Sequence, residues 1–230
     1  MKYQWIVFDA DETLFHFDAF SGLKRLFEHY EINFTQLDYE AFQKVNKPLW
    51  VDYQDGKITA KELQIKRFTA WAKRLGVDPV LLNQQFIESM ADICQCLPGA
   101  RKLLELLKGK VKLAIITNGF TSLQKVRLER TGLTHFFEHV IISEQVGVAK
   151  PSSDIFEHAL ASFGHPGKER VLMVGDTLSS DIFGGKNAGL DTCWINHFGE
   201  QNLDTVGATY QVANLSELYQ LIESFEAVNA

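Results

Sequence analysis

Short runs of consecutive apolar residues, each followed by a segment with apolar residues at helical spacing, constrain the fold of this chain most strongly. Continuous apolar strands are typical of sheets covered on both faces, and strands that alternate with helices form parallel βαβ units. The predicted strands cover residues 3–8, 111–117, 139–143, 170–174 and 192–196, with a short edge strand at 208–212. The pattern therefore predicts an α/β fold with a doubly wound parallel sheet.

The long interval between the first two predicted strands carries no convincing strand. Residues 16–97 instead carry apolar residues at helical spacing, for example Phe20, Leu23 and Phe27. A structureless loop of this length is implausible in a compact domain. We therefore predict an all-helical cap, residues 16–97, inserted after the first strand of a core domain made of residues 1–15 and 98–230. The cap is expected to close over the strand ends as a lid.

Composition and charge exclude several classes of protein. Hydrophobic residues make up 46% of the 230 residues, which is enough for a packed interior. The net charge of −6 argues against a protein that coats DNA or RNA, because such binding depends on lysine and arginine. Three cysteines provide no paired framework, and we find neither a signal peptide nor an apolar run of about 20 residues. We expect a cytoplasmic protein that binds no membrane and no nucleic acid polymer.

Two carboxylates directly follow the first predicted strand. Asp9 and Asp11 are two residues apart, and side chains at this spacing share one face of an extended segment. Buried like charges are costly unless a cation or a proton compensates them. The pair therefore predicts a divalent metal site with a reactive aspartate, although alone it would also fit a turn or a helix cap.

Further polar residues follow later strands, at the edge of a parallel sheet where ligands gather. Thr117 and Asn118 could hold a phosphate oxygen, or they could form a simple turn. Asp176 is a candidate metal ligand, and Asp181 is a second ligand or an N-terminal helix charge. Lys150, before Pro151, could neutralise phosphate together with Asp9, or it could be a solvated lysine at the start of a helix. Pro151 is predicted to open that helix at its first turn.

These motifs together resemble the four motifs of the haloacid dehalogenase superfamily, in the same order and over nearly the whole chain. The matching segments are Asp9-Ala10-Asp11-Glu12-Thr13-Leu14, Thr117-Asn118-Gly119, Lys150-Pro151, and Gly175-Asp176-Thr177 with Asp181. The resemblance implies a Rossmann-like core and phosphoryl-transfer chemistry that depends on Mg²⁺ or on a substitute such as Mn²⁺ or another divalent cation.

The roles that this resemblance implies agree with the chemistry of the residues. Asp9 is the expected nucleophile, and Asp11 is the expected general acid and base. Thr117 and Lys150 complete the expected catalytic set, and with Asn118 they are expected to bind the phosphate. The expected metal ligands are Asp9, Asp11, Asp176 and Asp181.

Longer segments narrow the resemblance within the superfamily. Dehalogenases generally lack the second aspartate of the first motif, so Asp11 favours a phosphoryl substrate. Glu12 stands where many relatives have glycine, a departure shared with a nucleotidase subgroup. The segments 45–50, 117–123 and 126–133 also resemble pyrimidine 5′-nucleotidases, which implies hydrolysis of UMP, dUMP and dTMP.

Five residues in the predicted cap and at its hinges are candidate contacts of the nucleotide base: Phe15, His16, Asn46, Trp50 and Phe120. Aromatic rings stack on bases and amides read base edges. The alternative for the aromatic residues is that Trp50 and Trp71 simply pack the cap.

Two other functions remain open from the sequence. One is a different small-molecule phosphatase or a phosphomutase, acting on phosphoglycolate or a sugar phosphate. The other is a non-catalytic sensor of a phosphorylated ligand. A monomer and a homodimer are both compatible with the sequence.

Overall fold

The computed structural model describes residues 2–199 and 207–227, and its largest sheet has six parallel strands. The order across the sheet is β5-β4-β1-β6-β7-β8. Its strands are β1 (Trp5–Phe8), β4 (Lys112–Thr117), β5 (His139–Ile142), β6 (Val171–Gly175), β7 (Asp191–Ile195) and β8 (Tyr210–Val212). The predicted doubly wound parallel sheet is confirmed, and its strands lie within two residues of the predicted bounds.

The central strand β1 is buried along its whole length. It pairs with β4 on one side and with β6 on the other, so that Trp5 lies opposite both Lys112 and Val171. The Trp5 ring stacks on Phe163 at a centroid distance of 4.1 Å. Because every position of β1 is buried, both faces of the strand are covered. This explains why its sequence is apolar at every position rather than at alternate ones.

Eleven α-helices lie within the described residues, and none of them is long and apolar enough to cross a membrane. They are α1 (Ala19–Glu28), α2 (Gln36–Gln54), α3 (Ala60–Lys66), α4 (Thr69–Leu75), α5 (Pro79–Asp92), α6 (Ala100–Leu107), α7 (Thr121–Arg130), α8 (Ser143–Val146), α9 (Ser153–Ser162), α10 (Phe183–Asn187) and α11 (Leu215–Ala227). Thr35 and Thr59 start α2 and α3 with reciprocal capping boxes, which satisfy backbone N–H groups at the N-terminus of each helix.

The chain divides into two compact units. The first, the core unit, comprises the described parts of Met1–His16, Gln95–Gly119 and Leu128–Ala230. The second, the helical unit, comprises Phe17–Cys94 and also Phe120–Arg127, a segment that the predicted cap did not include. Phe120 explains the difference, because its ring stacks on Trp50 at 5.4 Å and lies 5.1 Å from the Arg67 guanidinium.

A second, two-stranded sheet lies inside the interval in which we expected no strand. β2 (Phe15–His16) pairs antiparallel with β3 (Gln95–Cys96) in the core unit. The expectation of an interval without strands was therefore wrong at residues 16 and 95–96. Two-residue strands carry no hydrophobic period that a sequence could reveal.

The helical unit has an aromatic core. Trp71 lies 4.2 Å from the ring of Phe27 and 5.8 Å from that of Phe34, and the last two rings stack on each other at 4.9 Å. Close packing extends to Gly22 on α1, where an added Cβ would collide with Met90 of α5. The alternative that Trp71 packs this unit is confirmed.

Candidate active site

Three strands deliver polar side chains to the same edge of the large sheet. β1 lies between β4 and β6, and the three strands run parallel, so their carboxyl ends are neighbours. Asp9 follows β1, Thr117 is the last residue of β4 and Asp176 follows β6. Main-chain pairing continues past β1, where Asp9 N donates to Val174 O at 2.8 Å. The sheet topology therefore brings together residues that are far apart in the sequence.

An acidic cluster forms at this edge. Each of Asp9, Asp176 and Asp181 offers a carboxylate oxygen, and the three oxygens lie within 4.8 Å of one another. Asp181 reaches the cluster from a single π-helical turn, Leu178–Ile182, and its Oδ2 accepts from Thr177 N at 3.1 Å. A set of carboxylate oxygens fits a hard cation such as Mg²⁺.

One buried lysine compensates part of this charge. Lys150 is 1% exposed, and its Nζ donates to Asp9 Oδ1 at 2.5 Å, to Asp181 Oδ1 at 2.7 Å and to Ile116 O at 2.7 Å. These three acceptors use all three N–H bonds of the ammonium. The alternative that Lys150 is a solvated lysine is therefore wrong.

The segment after Lys150 also differs from the prediction. We expected Pro151 to open a helix, but α9 begins at Ser153, and the Ser152 side chain caps it by accepting from Asp154 N. Asn118 fixes the preceding backbone, since its Oδ1 accepts from Lys150 N at 2.8 Å and its Nδ2 donates to Lys150 O at 2.9 Å. The Asn118 side chain thus holds the lysine in place.

The electrostatics of the cluster favour an added cation. Burial raises the pKa of Asp9 to about 8, although Lys150 opposes the shift. Burial and the Asp181 carboxylate raise the pKa of Asp176 to about 6. Burial alone would lower the pKa of Lys150, but Asp181 and Asp9 raise it above its ordinary value. The carboxylates thus carry more negative charge than one ammonium can neutralise.

The raised carboxyl pKa values predict a pH dependence of stability. A carboxyl group with a raised pKa in the folded state stabilises the fold at low pH, and this contribution is lost as the pH rises through the folded-state pKa. In EDTA, the free energy of unfolding of the wild type should therefore fall relative to that of Asp176→Asn between about pH 4 and pH 6. Urea unfolding at several pH values measures the difference, and a constant difference would contradict the assignment.

Asp11 does not belong to the cluster of candidate ligands. Among the described residues, the group of side-chain oxygens close enough to share an ion contains only the other three aspartates. The chain stops being extended after β1, because Leu14 N and Phe15 N both donate to Ala10 O. The geometry therefore gives no support to the prediction that the Asp11 carboxylate is a metal ligand, but its charge still contributes to the raised pKa of Asp9.

Glu12 lies in the same turn in a left-handed conformation, with φ of +53°. Glycine adopts this conformation without strain, which accounts for the glycine that many members of the superfamily carry here. The Glu12 carbonyl oxygen is hydrogen-bonded to His197 Nε2 at 2.7 Å. Contacts within the core unit therefore hold the non-glycine residue in place.

Thr117 and the predicted base contacts lie in different surroundings. Thr117 is 1% exposed, and its hydroxyl accepts from Gly119 N at 3.0 Å. Phe15 is fully buried in β2, whereas His16 is exposed and pairs with Glu12. Asn46 and Trp50 lie half-buried on α2 in the helical unit. Their roles stay predictions.

Two residues that were not predicted from the sequence support the cluster. Thr13 Oγ1 donates to Asp176 Oδ1 at 3.4 Å. An added Cβ at Gly175 would collide with the Asp181 carboxylate, so only glycine lets that side chain approach β6. Both residues lie inside the matched motifs, where the fixed spacing to Asp9, Asp11 and Asp176 was the available signal.

The fold and the acidic cluster define a hydrolase with a Rossmann-like core and an inserted helical unit. A family model of haloacid dehalogenase-like hydrolases matches residues 3–189. The chain belongs to this family.

Individual relatives match over nearly the full length. The chain is 55% identical to pyrimidine 5′-nucleotidase YjjG of Escherichia coli over 222 residues, which cover 96% of this chain and 99% of the relative. It is 34% identical to pyrimidine 5′-nucleotidase PynA of Streptococcus pneumoniae, with 97% and 96% covered. The crystal structure of the magnesium-bound HAD-hydrolase YfnB of Bacillus subtilis superposes with a TM-score of 0.82 at 32% identity, covering 96% of this chain and 99% of that one.

Proposed function

We propose that this protein is a metal-dependent 5′-nucleotidase that hydrolyses pyrimidine nucleoside 5′-monophosphates, such as UMP, dUMP and dTMP, to nucleoside and phosphate. The observation that carries the proposal is the cluster of Asp9, Asp176 and Asp181 around the buried Lys150. The 55% identity to a pyrimidine 5′-nucleotidase over almost the whole chain supports the substrate class.

Asp9 acts as the nucleophile in this proposal. Lys150 holds its Oδ1, and a carboxylate oxygen attacks the phosphorus. The bond between phosphorus and the 5′ oxygen breaks, and its electron pair leaves with the nucleoside oxygen. The product of this step is an aspartyl phosphate, the mixed anhydride of the Asp9 carboxylate and phosphate.

Asp11 transfers the protons in both steps. It gives a proton to the leaving 5′ oxygen, then takes one from the water that attacks the phosphorus of the aspartyl phosphate and so releases Asp9 and inorganic phosphate. Its place outside the cluster of candidate ligands suits this role, because a carboxylate that holds a cation is a poor proton donor.

The chain's own residues also bind the cofactor and the phosphate. Asp9, Asp176 and Asp181 would hold Mg²⁺, which supplies positive charge against the repulsion between Asp9 and a phosphate dianion. Lys150 adds a fixed positive charge, and the Thr117 hydroxyl is the proposed donor to a phosphate oxygen. Asn118 positions Lys150 through its two backbone hydrogen bonds.

The cysteines support a reducing compartment. Cys94, Cys96 and Cys193 all stand as thiols. Since disulfides form mainly in oxidising compartments, we propose a cytoplasmic location.

A phosphate-release assay on a panel of substrates tests the function. We expect turnover of UMP, dUMP and dTMP in Mg²⁺, with slower release from sugar phosphates and phosphoglycolate. EDTA should abolish turnover, and added Mg²⁺ should restore it, because Asp9 and the phosphate then share a compensating charge. Faster release from phosphoglycolate than from any nucleotide would contradict the proposed substrate class, and turnover that survives EDTA would contradict the metal dependence.

A further inference from the structure

Two buried amide atoms in the helical unit lack a hydrogen-bond partner. They are Nε2 of Gln124 on α7 and Oδ1 of Asn46 on α2, two of three such side-chain atoms among the described residues. Native proteins satisfy most buried polar atoms, so each exception calls for a physical reason. A ligand that supplies the missing partners is one such reason.

The remaining contacts of Gln124 fix which of its two amide atoms is left over. Gln124 is fully buried, and its Oε1 accepts from Arg127 Nε at 2.9 Å and from Arg127 Nη2 at 2.6 Å. A guanidinium only donates, so the facing atom is the oxygen and the unpaired atom is the N–H donor. Asn46 Nδ2 donates to Gln43 Oε1 at 3.2 Å, which leaves Oδ1 as an unpaired acceptor.

The two amides lie on helix faces that meet through aromatic rings. Trp50 and Phe120 stack at 5.4 Å with an angle of 29° between their planes. Asn46 lies one turn before Trp50 on α2. Gln124 lies one turn after Phe120, and the backbone N–H of Gln124 donates to the Phe120 carbonyl oxygen at 3.1 Å. Residues four apart share a helix face. Both unpaired atoms therefore belong to the faces that carry the stacked pair.

An unpaired donor and an unpaired acceptor beside aromatic rings match one kind of base edge. Uracil and thymine present an N3–H donor between two carbonyl acceptors, whereas cytosine presents an acceptor at N3 and an amino group at C4. Gln124 Nε2 can donate to a carbonyl, and Asn46 Oδ1 can accept from N3–H. With cytosine, Asn46 Oδ1 would meet a second acceptor. Sites built for hydrogen bonding reject a base that leaves such groups unpaired.

We propose that Gln124 and Asn46 together read the imide edge of uracil or thymine, next to the half-buried ring of Trp50. The inference rests on the proposed nucleotidase function and extends it by assigning base discrimination to a donor and acceptor pair in the helical unit. Gln124 is a specificity residue in this assignment and takes no part in phosphoryl transfer.

Gln124→Glu tests the assignment, because it keeps the size of the side chain and an acceptor for Arg127 but removes the donor. We expect kcat/KM for UMP to fall by about 10- to 100-fold, with a smaller fall for CMP, so that the ratio of the two values collapses. The matched control is Gln84→Glu, the same change at an exposed position of α5, which should leave the ratio unchanged. Thermal unfolding verifies that each variant is folded.

A second pair of variants covers the case in which Gln124→Glu does not fold. Asn46→Leu removes the acceptor and should also collapse the ratio, whereas Asn46→Asp retains an acceptor and should preserve it. Equal losses on UMP and CMP in both Gln124→Glu and Asn46→Leu would mean that the amides are only structural, which overturns the inference. A wild type that hydrolyses UMP and CMP equally well also overturns it but leaves the nucleotidase function intact. Failure to release phosphate from any nucleotide would instead contradict the proposed function.

Discussion

Replacing Asp9 by asparagine should abolish phosphate release from UMP while leaving the protein folded. Asparagine has nearly the same size but cannot attack phosphorus as a carboxylate does. Removing the nucleophile of a covalent mechanism costs on the order of 10⁶-fold in kcat. Lys150 keeps a buried partner in this variant, since its Nζ still donates to Asp181 Oδ1 at 2.7 Å, so the protein should stay folded.

The assay compares steady-state phosphate release in Mg²⁺ with the urea unfolding of the same samples. Asp154→Asn is the control, since Asp154 is an exposed aspartate in the first turn of α9. It should retain full turnover. Asp9→Asn with more than about one hundredth of the wild-type rate would show that another residue is the nucleophile.

Replacing Lys150 by methionine should lower both stability and activity. The change removes the ammonium that donates to Asp9, Asp181 and Ile116 O, and leaves two buried carboxylates without their cation. Breaking a buried ion pair by removing one partner costs about 3–5 kcal/mol. The loss should be largest in EDTA, and saturating Mg²⁺ should restore part of it, because an ion bound by the folded state stabilises that state.

Urea unfolding with and without Mg²⁺ measures this effect. Lys168→Met is the matched control, because Lys168 pairs with Glu157 on the surface at 2.5 Å with nearly half of its side chain exposed. A pair of this kind contributes about 0–1 kcal/mol, so the control should change little. A loss of stability at Lys150 no larger than that of the control would contradict the role of Lys150 as the buried countercharge.

The large sheet was predictable because its strands are buried on both faces. Every residue of β1 is buried, and the alternation of such runs with helical segments permits few other arrangements. The two-residue strands β2 and β3 were missed, since two residues define no period. The membership of Phe120–Arg127 in the helical unit was also hidden, because α7 runs on to Arg130 without any break in the sequence.

The site could be predicted where residues follow strands directly. Asp9 and Asp176 do so and Thr117 ends β4, and the parallel sheet places all three at one edge. Asp11 shows the limit of this reasoning, because the rule that residues two apart share a face fails once the chain turns at Ala10, whose carbonyl oxygen accepts from Leu14 N and Phe15 N. Lys150 shows another limit. Its burial follows from contacts with Asn118 and the acidic cluster, which local sequence cannot reveal.

The central position of β1 also determines when the large sheet can be completed during synthesis. The strand leaves the ribosome before both of its neighbours, β4 and β6, and the second of these ends at Gly175. At translation rates of about 5–20 residues per second, roughly ten to thirty seconds pass between the synthesis of Phe8 and that of Gly175. During that time an apolar segment lacks at least one hydrogen-bonded neighbour, so we expect nascent chains that stop before Gly175 to bind chaperones and to be inactive.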